Sequence, residues 1–251
     1  MFNNNNRPVK ENLIYGTRAV IEAIENGKTI DQLMIQKGLS NSLTGDLFKV
    51  CRDHEVPYQL VPPERINRET RANHQGVIGF MSSIEYQNIE EIITQCNEQG
   101  QVPLLLILDG ITDVRNFGAI ARTANCTGVH AIIIPSRGGA MINADAIKTS
   151  AGALHSIPVC KVDSLKATVF LLKEYGIQLV SCTEKTDTLY TAFEYTKPTA
   201  IIMGAEDKGI SSELIKQSDI KAKLPLLGNI ESLNVSVACG VLLYEVVRQR
   251  G

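Results

Sequence analysis

Leu104-Leu105-Leu106-Ile107-Leu108 runs directly into Asp109-Gly110-Ile111-Thr112-Asp113-Val114-Arg115-Asn116-Phe117-Gly118-Ala119-Ile120-Ala121-Arg122-Thr123-Ala124, and this stretch decides the class of fold. Five consecutive apolar residues without alternation make a strand buried on both faces. The polar turn that follows opens a helix of small residues. The same unit recurs. Runs 131–134, 178–181 and 200–203 are further buried strands, and 159–162 and 223–226 are weaker ones. Between them, 119–126, 164–175 and 232–248 read as helices. This alternation begins near Ile89 and predicts an α/β fold with a mostly parallel sheet covered on both faces. Ligands in such sheets bind beyond the carboxyl ends of the strands, so the loops after Leu108, Met203 and Leu226 are the places to look.

Ahead of that region lies a smaller α/β unit. Helix 17–25 ends at Asn26-Gly27, a strong stop signal. Strand 33–35, helix 43–53, strand 57–61, a short helix over 63–70 and strand 76–81 follow, and 82–88 is the boundary. The chain of 251 residues suits two domains of ordinary size. We divide it into a disordered lead-in over 1–10, a front domain over 11–83, a linker and connecting helix over 84–101, and a main domain over 102–251.

Composition narrows the function. A formal net charge of −2 argues against a protein that coats nucleic acid without specificity, while Arg65, Arg68 and Arg71 supply a local basic surface. The apolar run 104–108 is far too short to span a membrane. The polar N-terminus lacks the apolar core of a signal peptide. Six scattered cysteines form no Cys-x-x-Cys pair and the four histidines are dispersed. The expectation is therefore reduced thiols, no metal, no membrane and a cytoplasmic location.

Each of the three loops carries polar groups that need a purpose. In the first, Asn116 is placed to cap the helix that follows. Arg122 lies one to two turns into an otherwise small, apolar helix, where a fixed guanidinium suits a phosphate. In the second, Gly204 and Gly209 bracket Glu206 directly after a buried strand, with Ser211 or Ser212 as a cap. The glycine spacing is neither a Walker loop nor a dinucleotide fingerprint. The third is Leu224-Pro225-Leu226-Leu227-Gly228-Asn229-Ile230-Glu231-Ser232-Leu233-Asn234-Val235-Ser236-Val237-Ala238. Here a short apolar strand enters a Gly-centred turn, and the helix beyond is apolar nearly all round. Leu233, Val237, Val241 and Tyr244 form one stripe, and Val235, Leu242 and Val246 fill another side. A helix without a polar face is a buried helix. Ser232 serves as its N-cap, whereas Asn234 lies further in and needs another partner.

These residues resemble the three motifs of the SpoU (TrmH-like) family of RNA ribose 2'-O-methyltransferases. Stretch 116–124 is similar to the first motif, 204–211 to the second, and 224–228 with 232–238 to the third. The front domain resembles the L30e-like substrate-binding domain of the RlmB-type branch, as do His74-Gln75-Gly76-Val77 and the closing Val247-Arg248-Gln249-Arg250. The resemblance implies a SPOUT domain with a C-terminal trefoil knot, a rarity among folds. It implies S-adenosylmethionine as cofactor and a homodimer whose active site draws on both subunits. The implied substrate is RNA, with a guanosine ribose of 23S ribosomal RNA as target. Gly204, Leu224 and Leu233 would hold the cofactor through backbone groups, and Thr183, Leu226 and Gly228 would line the same pocket. Asn116, Arg122, Glu206, Ser232 and Asn234 would form the catalytic group. The first motif usually reads Asp-Pro-x-Asn, and Val114 in place of the proline removes a φ lock, which predicts a less ordered loop.

Methyl transfer to a ribose hydroxyl is an in-line displacement that needs no metal, and alignment alone can supply about 7–11 kcal/mol. A guanidinium is a poor general base. Arg122 therefore suits stabilisation of a developing alkoxide and grip on a phosphate. Glu206 is either the proton acceptor or the group that orients Arg122. Asn116 and Asn234 position the ribose or fix the loops. The alternatives within the enzyme class are a transfer-RNA 2'-O-methyltransferase and a resistance-type ribosomal-RNA methyltransferase. An alternative of another class is a non-catalytic RNA-binding or ribosome-assembly factor. A nicotinamide-dependent oxidoreductase fits only the strand–helix alternation.

Overall fold

The computed structural model describes residues 12–230 and 232–251. The expected lead-in over 1–10 lies outside the described residues. The chain divides into two compact units, one ending at Ser83 and one beginning at Ile84.

The front unit runs β1 (Leu13–Tyr15), α1 (Thr17–Glu25), β2 (Ile30–Gln36), α2 (Thr44–Asp53), β3 (Tyr58–Val61), α3 (Pro63–Glu69) and β4 (Val77–Met81). Its sheet has the order β1-β4-β2-β3, with β4 antiparallel to both neighbours and β2 parallel to β3. The apolar faces of α1 and α2 close over this sheet, with Val20, Leu33, Ile35 and Leu47 fully buried. Helix α3 leaves Arg65 and Arg68 exposed, and Arg65 pairs with Glu69 at 2.6 Å.

The second unit runs α4 (Ile89–Glu98), β5 (Leu104–Asp109), α5 (Val114–Cys126), β6 (Ala131–Pro135), α6 (Ala144–Thr149), β7 (Val159–Val162), α7 (Leu165–Glu174), β8 (Gln178–Cys182), β9 (Thr199–Gly204), α8 (Ser212–Gln217), β10 (Ile220–Ala222) and α9 (Val235–Arg250). Six strands form one sheet in the order β10-β8-β9-β5-β6-β7, and every neighbouring pair is parallel. The unbroken apolar run of β5 is split by the pleat between two cores. Leu104, Leu106 and Leu108 face the layer of α5 and α9, while Leu105 and Ile107 face α4 and α7.

Three boundaries differ from the sequence reading, each for a local reason. Helix α5 begins at Val114, five residues early, because the Asp113 carboxylate accepts the Asn116 N–H at 2.7 Å. Asp113, not Asn116, is therefore the cap, and its bond ties the loop that lacks the usual proline. The run 223–226 is not a strand: the ladder stops at Ala222, Lys223 makes only an isolated bridge to Leu189, and Pro225 has no N–H to continue it. Helix α9 starts at Val235 with Asn234 as its N-cap, so Ser232 lies before the helix. The stripe of α9 expected to be buried is also open in the single chain. Val237, Val241, Tyr244 and Val247 are exposed, Tyr244 to 57%. The opposite side, with Cys239, Leu242, Leu243 and Val246, packs fully into the core with α5.

Candidate active site

At the carboxyl end of the sheet, Gly204 closes β9 and the chain folds back on itself. Gly209 N–H donates to Ala205 O at 2.7 Å. A Cβ on Gly204 would fall 2.2 Å from the Gly209 carbonyl carbon and the Ile210 nitrogen, so no side chain fits there. Asp109, the last residue of β5, fastens this loop from the next strand. Its carbonyl accepts Ala205 N–H at 3.1 Å and its carboxylate accepts Ser211 N–H at 2.7 Å. The loops after β5 and β9 are thus one hydrogen-bonded structure.

Glu206 stands on that loop and gathers both neighbouring helices. Its Oε1 accepts from Asn234 Nδ2 at 2.8 Å, from Val235 N–H at 3.1 Å and from Asn116 Nδ2 at 3.3 Å. Asn234 Nδ2 also donates to Asn116 Oδ1 at 3.0 Å, and Asn234 Oδ1 accepts Ser236 N–H at 3.0 Å. The polar atoms that the sequence left without partners are therefore satisfied by one another. A carboxylate at the N-terminus of α9 also meets the positive end of the helix dipole.

Beside this cluster lies a cavity of about 570 Å³, walled by the loops at 182–185, 203–209, 223–226 and 232–238. Met203, Leu224, Leu226, Leu233 and Ala238 supply apolar wall, and Glu184, Glu206 and Asp207 together with Lys185, Lys208 and Lys223 supply charges of both signs. Among the described residues, no hydrogen bond engages the backbone of 224–230 or 232–233, although this segment borders the cavity. Its N–H and C=O groups are available to a ligand. Burial and the nearby Glu184 charge push the Cys182 thiol up to about 11, so it is a neutral wall group. A smaller cavity of about 190 Å³ sits on the other side of Glu206, lined by Gly110, Asp113 and Asn116. Glu206 borders both.

The structure brings Asn116, Glu206 and Asn234 into hydrogen-bond contact and places Ser232 on the wall of the larger cavity. Gly204, Leu224, Leu233, Thr183 and Leu226 line that cavity as well, whereas Gly228 does not. Arg122 stands apart. It is exposed, it lines neither cavity, and it makes no hydrogen bond or ion pair among the described residues. Six residues after Asn116 on α5, it points about 120° around the helix and sits about 9 Å further along. Sequence reasoning missed Asp109 and Asp113, whose signal was an acid directly after a buried strand and one just ahead of a helix. It also missed the Val235 N–H, which only the helix boundary reveals.

With this geometry in place, comparison with known proteins decides the family. A match to the SpoU rRNA Methylase family spans residues 103–244, the segment that builds the sheet and both cavities. The chain belongs to the SpoU family of RNA methylases. In this SpoU methylase, residues 13–87 match a second family, described as RNA 2'-O ribose methyltransferase substrate binding. A member of the TrmH family of tRNA/rRNA methyltransferases from Staphylococcus aureus is 34% identical, over 96% of this chain and 98% of its own. Among solved structures, the SpoU methyltransferase AviRb from Streptomyces viridochromogenes, in complex with AdoMet, shares the fold. Its TM-score is 0.60 at 24% identity, covering 98% of this chain and 94% of that one. A TrmH/SpoU tRNA modifying enzyme from A. aeolicus is 32% identical with a TM-score of 0.55, over 64% of this chain and 83% of its own.

Proposed function

We propose that this methylase transfers a methyl group from S-adenosylmethionine to the ribose 2'-hydroxyl of a guanosine in 23S ribosomal RNA. The observation that carries the reading is the cavity beside the Asn116–Glu206–Asn234 cluster. Its volume is in the usual range for small-molecule sites. Apolar side chains and free backbone groups suit an adenine, and wall charges of both signs suit a zwitterionic amino-acid tail. Gly204, Leu224 and Leu233 hold the cofactor through the backbone, with Thr183 and Leu226 around it, while Gly228 lies outside the cavity wall. The AdoMet complex of the AviRb relative supports the same choice.

When bound, S-adenosylmethionine supplies a methyl group activated by a sulfonium leaving group. The chain's own residues do the rest. Asn116 borders the smaller cavity, where the ribose enters, and Asn234 lies hydrogen-bonded beside it. Glu206 holds both amides in place, and Ser232 lies on the cofactor side. Three donors converge on Glu206 Oε1 and orient the group, while Oε2, which accepts no hydrogen bond among the described residues, takes the proton that the 2'-hydroxyl loses. Arg122 grips a phosphate and stabilises the oxygen that develops negative charge.

Arg122 does this across a homodimer interface, in the site of the second subunit. The exposed apolar stripe Val237, Val241, Tyr244 and Val247 on α9 is the dimer face, and α9 packs beside the helix that carries Arg122. The C-terminal segment 223–250 passes through the loop region at 183–195 as a trefoil knot, and its hydrogen bonds to Thr188, Tyr190 and Tyr195 suit that path. The front unit, over 11–83, is an L30e-like domain that binds RNA with Arg68 and Arg71, and 84–101 joins it to the catalytic domain. The free cysteines suit work in the cytoplasm.

The match over residues 103–244 to a family described as an rRNA methylase supports ribosomal RNA as the first reading. The likeness to a tRNA modifying enzyme over 64% of the chain supports transfer RNA as the second reading. Mapping ribose 2'-O-methylation in RNA from cells with and without the protein tests both. Loss of one guanosine methylation in 23S RNA is expected. An unchanged ribosomal pattern with a changed transfer-RNA pattern overturns the first reading in favour of the second.

A further inference from the structure

Arg250 is the last residue of α9, at the end away from the two cavities beside Glu206, yet it is one of the most heavily bonded side chains among those described. Its Nε donates to Tyr195 O at 2.9 Å, one terminal nitrogen to Val102 O at 2.8 Å, and the other to Lys197 O at 2.7 Å and Pro103 O at 3.2 Å. Gln249 adds a second tie. It donates to Phe193 O at 2.9 Å and accepts Tyr195 N–H at 2.8 Å. These carbonyls belong to the chain entering β5 and β9, at the amino ends of the strands. The reaction site lies at their carboxyl ends.

We infer that Arg250 is a positioning residue that fixes the axial setting of α9 and thereby the shape of the cofactor cavity at its far end. Helix α9 has 16 residues, about 24 Å of rigid rod. At its N-terminus Asn234 and Val235 bond Glu206, and Val235 and Ala238 line the cavity. Along its length only one side of the helix packs into its own chain, because the Val237–Val241–Tyr244 stripe is open. Apolar contact along that side is non-directional, whereas a planar guanidinium shared among four carbonyls has a fixed geometry that sets the end of the helix. The same latch reaches the cavity by a second route. Tyr195 is fully buried and donates its hydroxyl to Tyr190 O at 2.8 Å. Tyr190 N–H donates to Lys223 O at 3.0 Å, and Lys223 lines the cavity.

This inference rests on the cofactor reading above, so the experiment separates the two. S-adenosyl-L-methionine is titrated calorimetrically into the wild-type protein, Arg250→Ala and Arg250→Lys, well below each melting temperature. Wild-type binding with about tenfold weaker binding by Arg250→Ala, and an intermediate value for Arg250→Lys, supports the inference. A merely structural role lowers the melting temperature and leaves the affinity of the folded protein unchanged. Equal affinity in Arg250→Ala and the wild type therefore overturns the inference and leaves the cofactor reading standing. If Arg250→Ala does not fold, Arg250→Lys decides, and affinity within about twofold of wild type overturns the proposal. A wild-type protein that binds no S-adenosylmethionine overturns the cofactor reading and this inference with it.

Discussion

Asn234 Nδ2 lies 2.8 Å from Glu206 Oε1, while the oxygen of the same amide caps α9. The two ends of one side chain thus do different work. One end satisfies a helix, and the other joins that helix to a loop from a different strand.

That division can be taken apart. Serine is as good an N-cap as asparagine but has no amide N–H to reach Glu206. Asn234→Ser is expected to keep the melting temperature within a few degrees of wild type, since about 1 kcal/mol or less is lost at the cap. Methyl transfer should fall about 10–100-fold, because alignment is disturbed. A thermal melt and a single-turnover methylation assay read the two effects separately. Wild-type turnover in a stably folded Asn234→Ser protein would mean that the amide plays no part in the reaction.

Gly204 of the second motif and Gly228 of the third are treated oppositely by the structure. At Gly204 a Cβ would lie 2.2 Å from backbone atoms that cannot swing aside, whereas at Gly228 it would meet nothing within 4 Å. Gly204→Ala is therefore expected to force the loop open and weaken S-adenosylmethionine binding at least tenfold, about 1.4 kcal/mol. Gly228→Ala should bind as the wild type does. Calorimetric titration of both variants gives the answer, and equal affinities for the two would refute the steric argument.

Much of this architecture was legible in the sequence because its signals are local. Buried strands such as 104–108 declare themselves by unbroken apolar runs, and the loops after β5 and β9 follow from them. The position of Asn234 was not legible, because cap and first-turn residues differ only in where hydrogen bonding begins, and here Glu206 helps decide that by holding the Val235 N–H. The strand expected over 223–226 failed for a related reason. Apolar residues there line a cavity and an exposed loop, with Leu227 99% exposed, instead of entering the sheet. The all-apolar reading of α9 was right in composition and wrong about burial within one chain, since periodicity cannot say which molecule covers a face.

That uncovered face gives the next test. Tyr244 is the most exposed member of the α9 stripe, and an aspartate at this helix position costs the fold only about 0.7 kcal/mol or less in intrinsic propensity. In a homodimer closed by two-fold symmetry, the same stripe meets itself, so the charge would appear twice and be desolvated. Tyr244→Asp is expected to stay helical by circular dichroism and to sediment as a monomer where the wild type sediments as a dimer. A dimer of unchanged affinity would place the interface elsewhere.

The isolation of Arg122 from the Asn116–Glu206–Asn234 cluster allows a sharper experiment. Arg122→Ala is expected to bind S-adenosylmethionine like the wild type and to lose methyl transfer about 100-fold or more. Asn234→Ser is impaired in transfer for its own reason. If Arg122 serves the partner's site, a heterodimer of the two variants contains one site with an intact Asn234 and an intact Arg122. The other site lacks both. Random exchange of subunits should then restore about a quarter of wild-type activity, above the roughly one tenth or less that either variant keeps alone. If Arg122 serves its own subunit's site, every site in the mixture is defective and mixing restores nothing. Activity after co-refolding equal amounts of the two proteins distinguishes the arrangements without knowledge of the RNA-bound geometry.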